Sequence, residues 1–368
     1  MRVELARLAA SMRAEIADLP EADLTAAPGS VEELAALLTE ATRAGLKILV
    51  WGGGSHQGYG SRVEPDLVLV TTRLNGMLAW EPEDLTVVVE GGTTLAGLEE
   101  TLSAKRLTAV MPESPQTATV GGTIAVGVSG YRRLRYGPTR ERLLEVTLVT
   151  GDGRIVRGGG RVVKNVTGYD LPRLAVGSLG ALGVIASVCL KLWPQPPAAA
   201  TVTVDDIERA QGLVYRPLAI LSERSRTRVY LGGSAAEVDA QTVRLGGHVE
   251  QGHQWPVAPP GTLRFSLRLP PAHVHAAVGR LPVTWNYVAQ HGVGIIDVGA
   301  EGAAGVVDLR SWAESVGGGL VLVAAPALLY DELDPWGSPP ATIELQRQLV
   351  AAFDPARVLN PGRLPGGI

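Results

Sequence analysis

The chain has 368 residues, 46% of them hydrophobic, with 33 basic against 37 acidic side chains and a net charge of −4. That length holds a sizeable core and two or three domains, and the mild negative charge excludes wholesale binding to nucleic acid or to an anionic membrane surface. Its one cysteine, Cys189, excludes an internal disulfide and a cysteine-ligated iron–sulfur cluster held by this chain alone.

The opening stretch, "MRVELARLAASMRAEIADLP", mixes charges throughout and does not read as a secretory signal. The apolar run "LVLVAAPALLY" is too short to span a bilayer and is broken by Pro326. The expected location is therefore cytoplasmic, with membrane contact only through partners. Ser30 and Glu33 form an S-x-x-E capping box, and Val31, Leu34, Leu38 and Ala41 recur at helical spacing up to Gly45. "LKILVW" then predicts a buried strand that runs into "GGGSHQGYG", Gly52 to Gly60. Consecutive glycines cost backbone entropy, so this loop needs a backbone bare of side chains.

"PDLVLVTT" and "DLTVVVEGG" predict strands, and "TLAGLEETLSAKR" a helix. A second glycine passage, "TATVGGTIAVGVSG", leads into the arginine cluster "YRRLRYGPTRER". "LLEVTLVTGDGRIVRGGG" reads as a hairpin turning at Gly-Asp-Gly, and "GVIASVCLKLWPQPP" as a long strand closed by a proline run. Cys189 within it reads as an inert buried thiol. Beyond Pro197 short strands and helices alternate, which predicts a smaller α+β domain, and "ATIELQRQLVAAF" predicts a last amphipathic helix before an irregular tail.

The first glycine loop fits neither common phosphate motif. The dinucleotide fingerprint needs glycine where Gln57 stands and a helix directly after it, and the P-loop needs lysine where Tyr59 stands. Two glycine passages read instead as concave nests of backbone N–H groups that hold an anion without lysine, with hydroxyls from Ser55, Thr119 and Thr123 in support.

Residues from about Leu24 to Pro197 resemble the FAD-binding domain of the p-cresol methylhydroxylase and vanillyl-alcohol oxidase type. Within it, "ATVGGTIAVGVSG", "RYGPTRERL" and "VVKNVTGYDLPRLAVGSLGALGVI" resemble the FAD-binding small subunit of bacterial glycolate oxidase, as does the tail "FDPARVLNPGR". The resemblance implies an α+β fold: a two-part FAD-binding domain over 24–197 that divides near 75–85, a smaller cap domain over 198–330, and a C-terminal helix and tail over 331–368 that return to the FAD domain. It implies non-covalent FAD, with the first loop (Gly52, Gly53, Gly54, Ser55 and His56) at the diphosphate. The second passage (Ala118, Thr119, Val120, Gly121, Gly122 and Ser129) would face its other side, and Val184 and Ile185 would pair their main chain with adenine. Asn165, Tyr169 and Asp170 of "KNVTGYD" would lie beside the flavin ring, and Asn360 would return toward it from the tail.

Arg132 and Arg133 are the members of the arginine cluster best suited to clamp a substrate carboxylate or stabilise an anionic reduced flavin. Catalytic relatives carry a paired-histidine metal motif. Here "QHGVGIIDVG" keeps His291 without the second histidine, as a candidate lone base or a structural histidine, and Leu179 stands in "GSLG" where many relatives have glutamate, so no metal is expected. The resemblance implies a subunit of a glycolate (2-hydroxy acid) oxidase complex that works with a larger paralogous flavin subunit and an iron–sulfur subunit. The alternative is a non-catalytic flavin-binding relay or structural subunit. A stand-alone reductase on the same fold, such as the enolpyruvyl-glucosamine reductase of wall synthesis, ranks last, because no residue pattern supports a nicotinamide or nucleotide-sugar site.

Overall fold

The structure is a computed structural model that describes residues 2–12, 19–161 and 168–368. Three β-structures carry the chain. The first is a parallel sheet of β1 (Leu24–Ala26), β2 (Ile48–Trp51) and β3 (Leu67–Val70), in the order β1-β3-β2. Helices α1 (Arg2–Ser11) and α2 (Val31–Arg43) pack on it, and α2 opens on the predicted cap, with Ser30 Oγ accepting from the Glu33 N–H. Leu34, Leu37, Leu38 and Ala41 of α2 are fully buried against Ile48, Leu67 and Leu69, the helical stripe and buried strands that the apolar spacing requires.

The second sheet is antiparallel, in the order β4-β5-β9-β7-β8, and comprises β4 (Met77–Glu81), β5 (Thr86–Glu90), β7 (Leu143–Val149), β8 (Ile155–Gly159) and β9 (Val184–Lys191). Helices α3 (Leu95–Ser103) and α4 (Val120–Val126) cover it, and the short pair β6 (Leu107–Thr108) and β10 (Trp193–Pro194) closes its end. Helix α4 is the second glycine passage. It forms no open turn, because Thr119 caps it: its side chain accepts from the Gly122 N–H, and Gly127 ends it in the left-handed region.

The third sheet holds eight antiparallel strands in the order β14-β11-β13-β12-β16-β17-β15-β18. They are β11 (Ala198–Val204), β12 (Ala219–Glu223), β13 (Arg226–Gly233), β14 (His248–Gln251), β15 (Leu263–Arg268), β16 (Asn286–Gln290), β17 (Ile295–Ala300) and β18 (Gly319–Ala324). Its two halves join through only two register pairs, Leu221 with Gln290 and Ser222 with Ala289. Each half has its own core, one around the helix Ala235–Leu245 and one around Val306–Ser315.

After the helix Ile343–Phe353 the tail returns to the first sheet. The Ile48 N–H donates to the Val358 carbonyl and the Asn360 N–H to the Ile48 carbonyl, each at 2.8 Å, so residues 358–360 extend the pairing of β2.

Candidate functional site

The glycine loop leaves the carboxyl end of β2, where a parallel sheet presents its ligand side. Among the described residues, none of the five backbone N–H groups from Gly52 to His56 finds a protein acceptor. Such a run of outward donors is a nest for an anion. The glycines are needed for a reason besides ligand access. A Cβ at Gly53 would overlap the Thr117 carbonyl, and one at Gly52 the Thr119 side chain. The first loop therefore lies directly on the second passage, and bare backbone is what lets the two walls meet.

The second wall is built differently. The N–H groups of Ala118, Val120, Gly121 and Gly122 are all taken inside the protein, by Pro115, Thr93, Gly91 and the Thr119 hydroxyl. It offers surface and the Thr119 side chain instead of donors. Together the walls enclose a narrow slot of about 70 Å³ reaching from Gly52–His56 past Thr119, Gly121 and Gly122 to Val184 and Ile185 at the start of β9.

The tail locks this slot. Asn360, whose left-handed backbone suits asparagine, accepts from the Val50 N–H at 3.0 Å and donates to the Leu179 carbonyl at 2.6 Å. Arg363, buried, donates to the Tyr59 carbonyl (3.0 Å), the Gln57 carbonyl (2.8 Å) and Gln57 Oε1 (2.7 Å). Burial lowers its guanidinium to about 10, still charged at neutral pH.

Ser55 and His56 line both the slot and a chamber of about 670 Å³ beyond it, which separates the flank of α4 from the third sheet. On the chamber side of β15 stand Arg264, Ser266 and Arg268, and on β17 Asp297, directly opposite Ser266 in register. Arg133 enters from the other wall. Among the described residues, Arg133, Arg264 and Arg268 have neither a carboxylate partner nor a side-chain hydrogen bond. Burial pushes the Asp297 carboxyl up from the usual range, against hydrogen bonds from Ser266 and Gln290 and the charge of Arg268. Gln290 donates to Asp297 Oδ2 at 3.4 Å, while its own buried Oε1 has no partner. His56 is lowered to about 4, first by burial and then by Arg264, and its buried Nε2 is also without a partner. Burial and then the Asp297 charge push Tyr59 up to about 12, so its phenol stays protonated.

The other sequence candidates lie elsewhere. Ala118 and Val120 are buried in the core beneath the second wall, and Ser129 borders the chamber with its hydroxyl accepting from the Thr139 N–H. Arg132 is tied to Glu113 at 3.0 Å and to the Met111 carbonyl at 2.7 Å. Tyr169 is 92% exposed, and Asp170 caps the short helix Leu171–Ala175. Asn165 lies outside the described residues. His291 turns away from the chamber to the opposite face of the sheet, where its Nε2 meets Ser222 Oγ at 2.7 Å, and burial lowers it to about 4. No three His, Cys, Asp or Glu side chains gather as a metal site among the described residues. No helix among them is long and apolar enough to cross a membrane. Arg264, Arg268, Asp297, Gln290 and Arg363 were not singled out from the sequence. The signal for the first two was the alternation "LRFSLRL", which puts Arg264, Ser266 and Arg268 on one face and Phe265 and Leu267 in the core.

Residues 22–159 match the family model described as FAD binding domain. The chain is 34% identical over 182 residues to glycolate oxidase subunit GlcD of Bacillus subtilis, a match covering 49% of this chain and 39% of that protein. It is 33% identical over 190 residues to glycolate oxidase subunit GlcE of Escherichia coli (49% and 54%), and 33% over 168 residues to D-lactate dehydrogenase of Archaeoglobus fulgidus (46% and 38%). It thus spans between 38% and 54% of the length of these relatives. The fold is similar to that of alkyldihydroxyacetonephosphate synthase, with a TM-score of 0.66 over 92% of this chain and 76% of that one, at 15% identity. The donor run at Gly52–His56, the slot behind it and the matched segment agree: residues 22–159 are an FAD-binding domain, on a fold of the p-cresol methylhydroxylase and vanillyl-alcohol oxidase type, and FAD is its cofactor.

Proposed function

We propose that the chain is an FAD-dependent subunit that oxidises a 2-hydroxy acid, of which glycolate, giving glyoxylate, is the simplest. The observation that carries this reading is the shared wall of Ser55 and His56: the slot suited to a diphosphate opens there into a chamber holding unpaired guanidinium groups beside a buried carboxyl. Gly52–His56 would hold the diphosphate of non-covalently bound FAD through their N–H groups, with Thr119, Gly121 and Gly122 as the facing wall. The chemistry that FAD supplies when bound is acceptance of hydride from the carbon bearing the hydroxyl.

The chain's own residues do the rest. Arg264 binds the substrate carboxylate, a task for which a guanidinium is well shaped. Asp297 takes the hydroxyl proton. Its raised pKa brings a carboxylate closer to the working range of a general base, and Ser266 and Gln290 hold its orientation. His56 stays neutral and adds no competing charge.

The relatives named as glycolate oxidase subunits support a heteromeric complex with a larger paralogous flavin subunit. Electrons would leave through an iron–sulfur subunit, since one buried thiol supplies no thiolate set for a cluster. To test the reading, the purified FAD-loaded chain is mixed with glycolate or D-lactate without oxygen and the flavin absorbance is followed. Bleaching is expected. A flavin that stays oxidised would shift the role to a relay or structural subunit.

A further inference from the structure

The charges around the chamber do not balance. Besides the phenols of Tyr59 and Tyr131, both pushed up by burial, six of its side chains are acidic, basic or imidazole. Glu113 is already paired with Arg132, and His56 is held neutral. That leaves Arg133, Arg264 and Arg268 against Asp297, a surplus of two positive charges when the carboxyl is ionised. Arg133 and Arg264 are half-buried and Arg268 is exposed; half-buried cations without a partner in a concave site cost desolvation unless a ligand answers them.

Their placement matters as much as their number. Arg264 and Arg268 sit four residues apart on the same face of β15, roughly 13 Å between Cα atoms at strand rise. Arg264 stands at the end nearest the glycine loop, close enough to His56 to lower its pKa. Arg268 stands at the other end of the strand face, and Arg133 lines the facing wall, its guanidinium lowered by burial, then by Arg140 and Arg268. Between the two cationic ends lie Ser266, Asp297 and the unsatisfied Oε1 of Gln290, groups that handle a hydroxyl. The order along β15 is therefore cation, hydroxyl site, cation, with Arg133 on the facing wall.

We infer that the chamber takes a 2-hydroxy acid with a second carboxylate: the carboxylate next to the hydroxyl on Arg264, and the distal one on Arg133 and Arg268. This rests on the reading of the chamber as the substrate site, and it names the substrate class as a dicarboxylate. A two-carbon acid would satisfy one end and leave the other guanidinium pair unanswered.

The test is equilibrium binding, which needs no turnover. The FAD-loaded chain is titrated calorimetrically with 2-oxoglutarate and with 2-oxopentanoate, which match in length and differ in carrying a distal carboxylate or a methyl group. The dicarboxylate should bind about tenfold or more tighter in the wild type. Arg268→Gln and Arg133→Gln should erase that preference while leaving 2-oxopentanoate binding within about twofold, and Arg264→Gln should weaken both ligands. Equal affinity in the wild type would overturn the inference whether or not any variant folds. Reduction of the flavin by the matching hydroxy acids separates the two claims. A dicarboxylate preference without any reduction removes the oxidase reading and leaves this one standing. Reduction by glycolate with no dicarboxylate preference does the reverse.

Discussion

Gly53 and Gly122 both line the slot proposed for the flavin diphosphate, yet their missing side chains do different work. A methyl group at Gly53 would overlap the Thr117 carbonyl, which is backbone and has no room to retreat. At Gly122 it would come to 3.1 Å from Thr119 Oγ1, a side chain able to adjust. Gly53→Val should therefore push the two walls apart and lower FAD affinity by about a hundredfold or more, on the order of 3 kcal/mol. Gly122→Ala should lower it by less than about tenfold, and fluorescence titration of apoprotein with FAD reads both. Asp297 makes an opposite pair of predictions. Its native pKa lies above its unfolded value, so stability present at low pH is lost as the pH rises through the native pKa. Asp297→Asn, with no proton to lose, should be more stable than wild type above neutral pH by on the order of 1 kcal/mol in urea unfolding. The same change should slow flavin reduction by roughly 10²–10⁴-fold. Residue types were legible where one local constraint fixes them: the three glycines, the Ser30 cap, the inert Cys189, whose thiol burial pushes up to about 11. Asp297 was not, because its environment comes from two neighbouring strands, Ser266 across one ladder and Gln290 on the other.

The tail shows how an irregular segment can govern a site built by strands. Asn360 holds β2 through the Val50 N–H and the turn before β9 through the Leu179 carbonyl, and so fixes the distance between two flanks of the slot. Asn360→Asp keeps the acceptor toward Val50 but turns the donor into an oxygen facing that carbonyl at the same short range. It should cost roughly 2–4 kcal/mol of stability and lower FAD affinity, while Arg363→Lys, which cannot span its three acceptors in a planar fork, should weaken FAD with less loss of fold. Melting curves with and without FAD separate the two outcomes. At this scale the sequence was readable where apolar periodicity is strong, as in α2, β9 and the hairpin of β7 and β8. It misled at the second glycine passage, where Thr119 and the apolar Val120, Ile124 and Ala118 make a capped, buried helix despite two central glycines. β4 and β16 were missed because their patterns are weak: β4 is mostly exposed, and β16 opens on the polar Asn286 and closes on Gln290.

At the scale of the molecule, the chamber has walls from both the FAD-binding part and the third sheet, so a ligand in it touches residues about 210 positions apart, such as Ser55 and Arg264. No local pattern announces such a site; only the pairing of β15 with β17 and their stacking opposite residues 127–133 assemble it. The same architecture bears on where electrons go. Cys189, the one thiol, is buried within β9 and cannot by itself anchor a cluster. Two electrons removed from a hydroxy acid therefore stay on the cofactor unless another molecule takes them. In the absence of oxygen, the FAD-loaded chain given excess 2-hydroxy acid should release about one equivalent of oxo acid per bound flavin and then stop, a single turnover set by cofactor stoichiometry. Adding a soluble one-electron dye should restore turnover, and adding an iron–sulfur partner subunit should do so without dye. Continued anaerobic production of oxo acid by the chain alone would mean an acceptor within it, and would remove the need for a partner in the proposed complex. A flavin that stays oxidised without dye, and no oxo acid once dye is added, would instead place the oxidation in the larger subunit, leaving this chain's chamber as a site that binds the acid without consuming it.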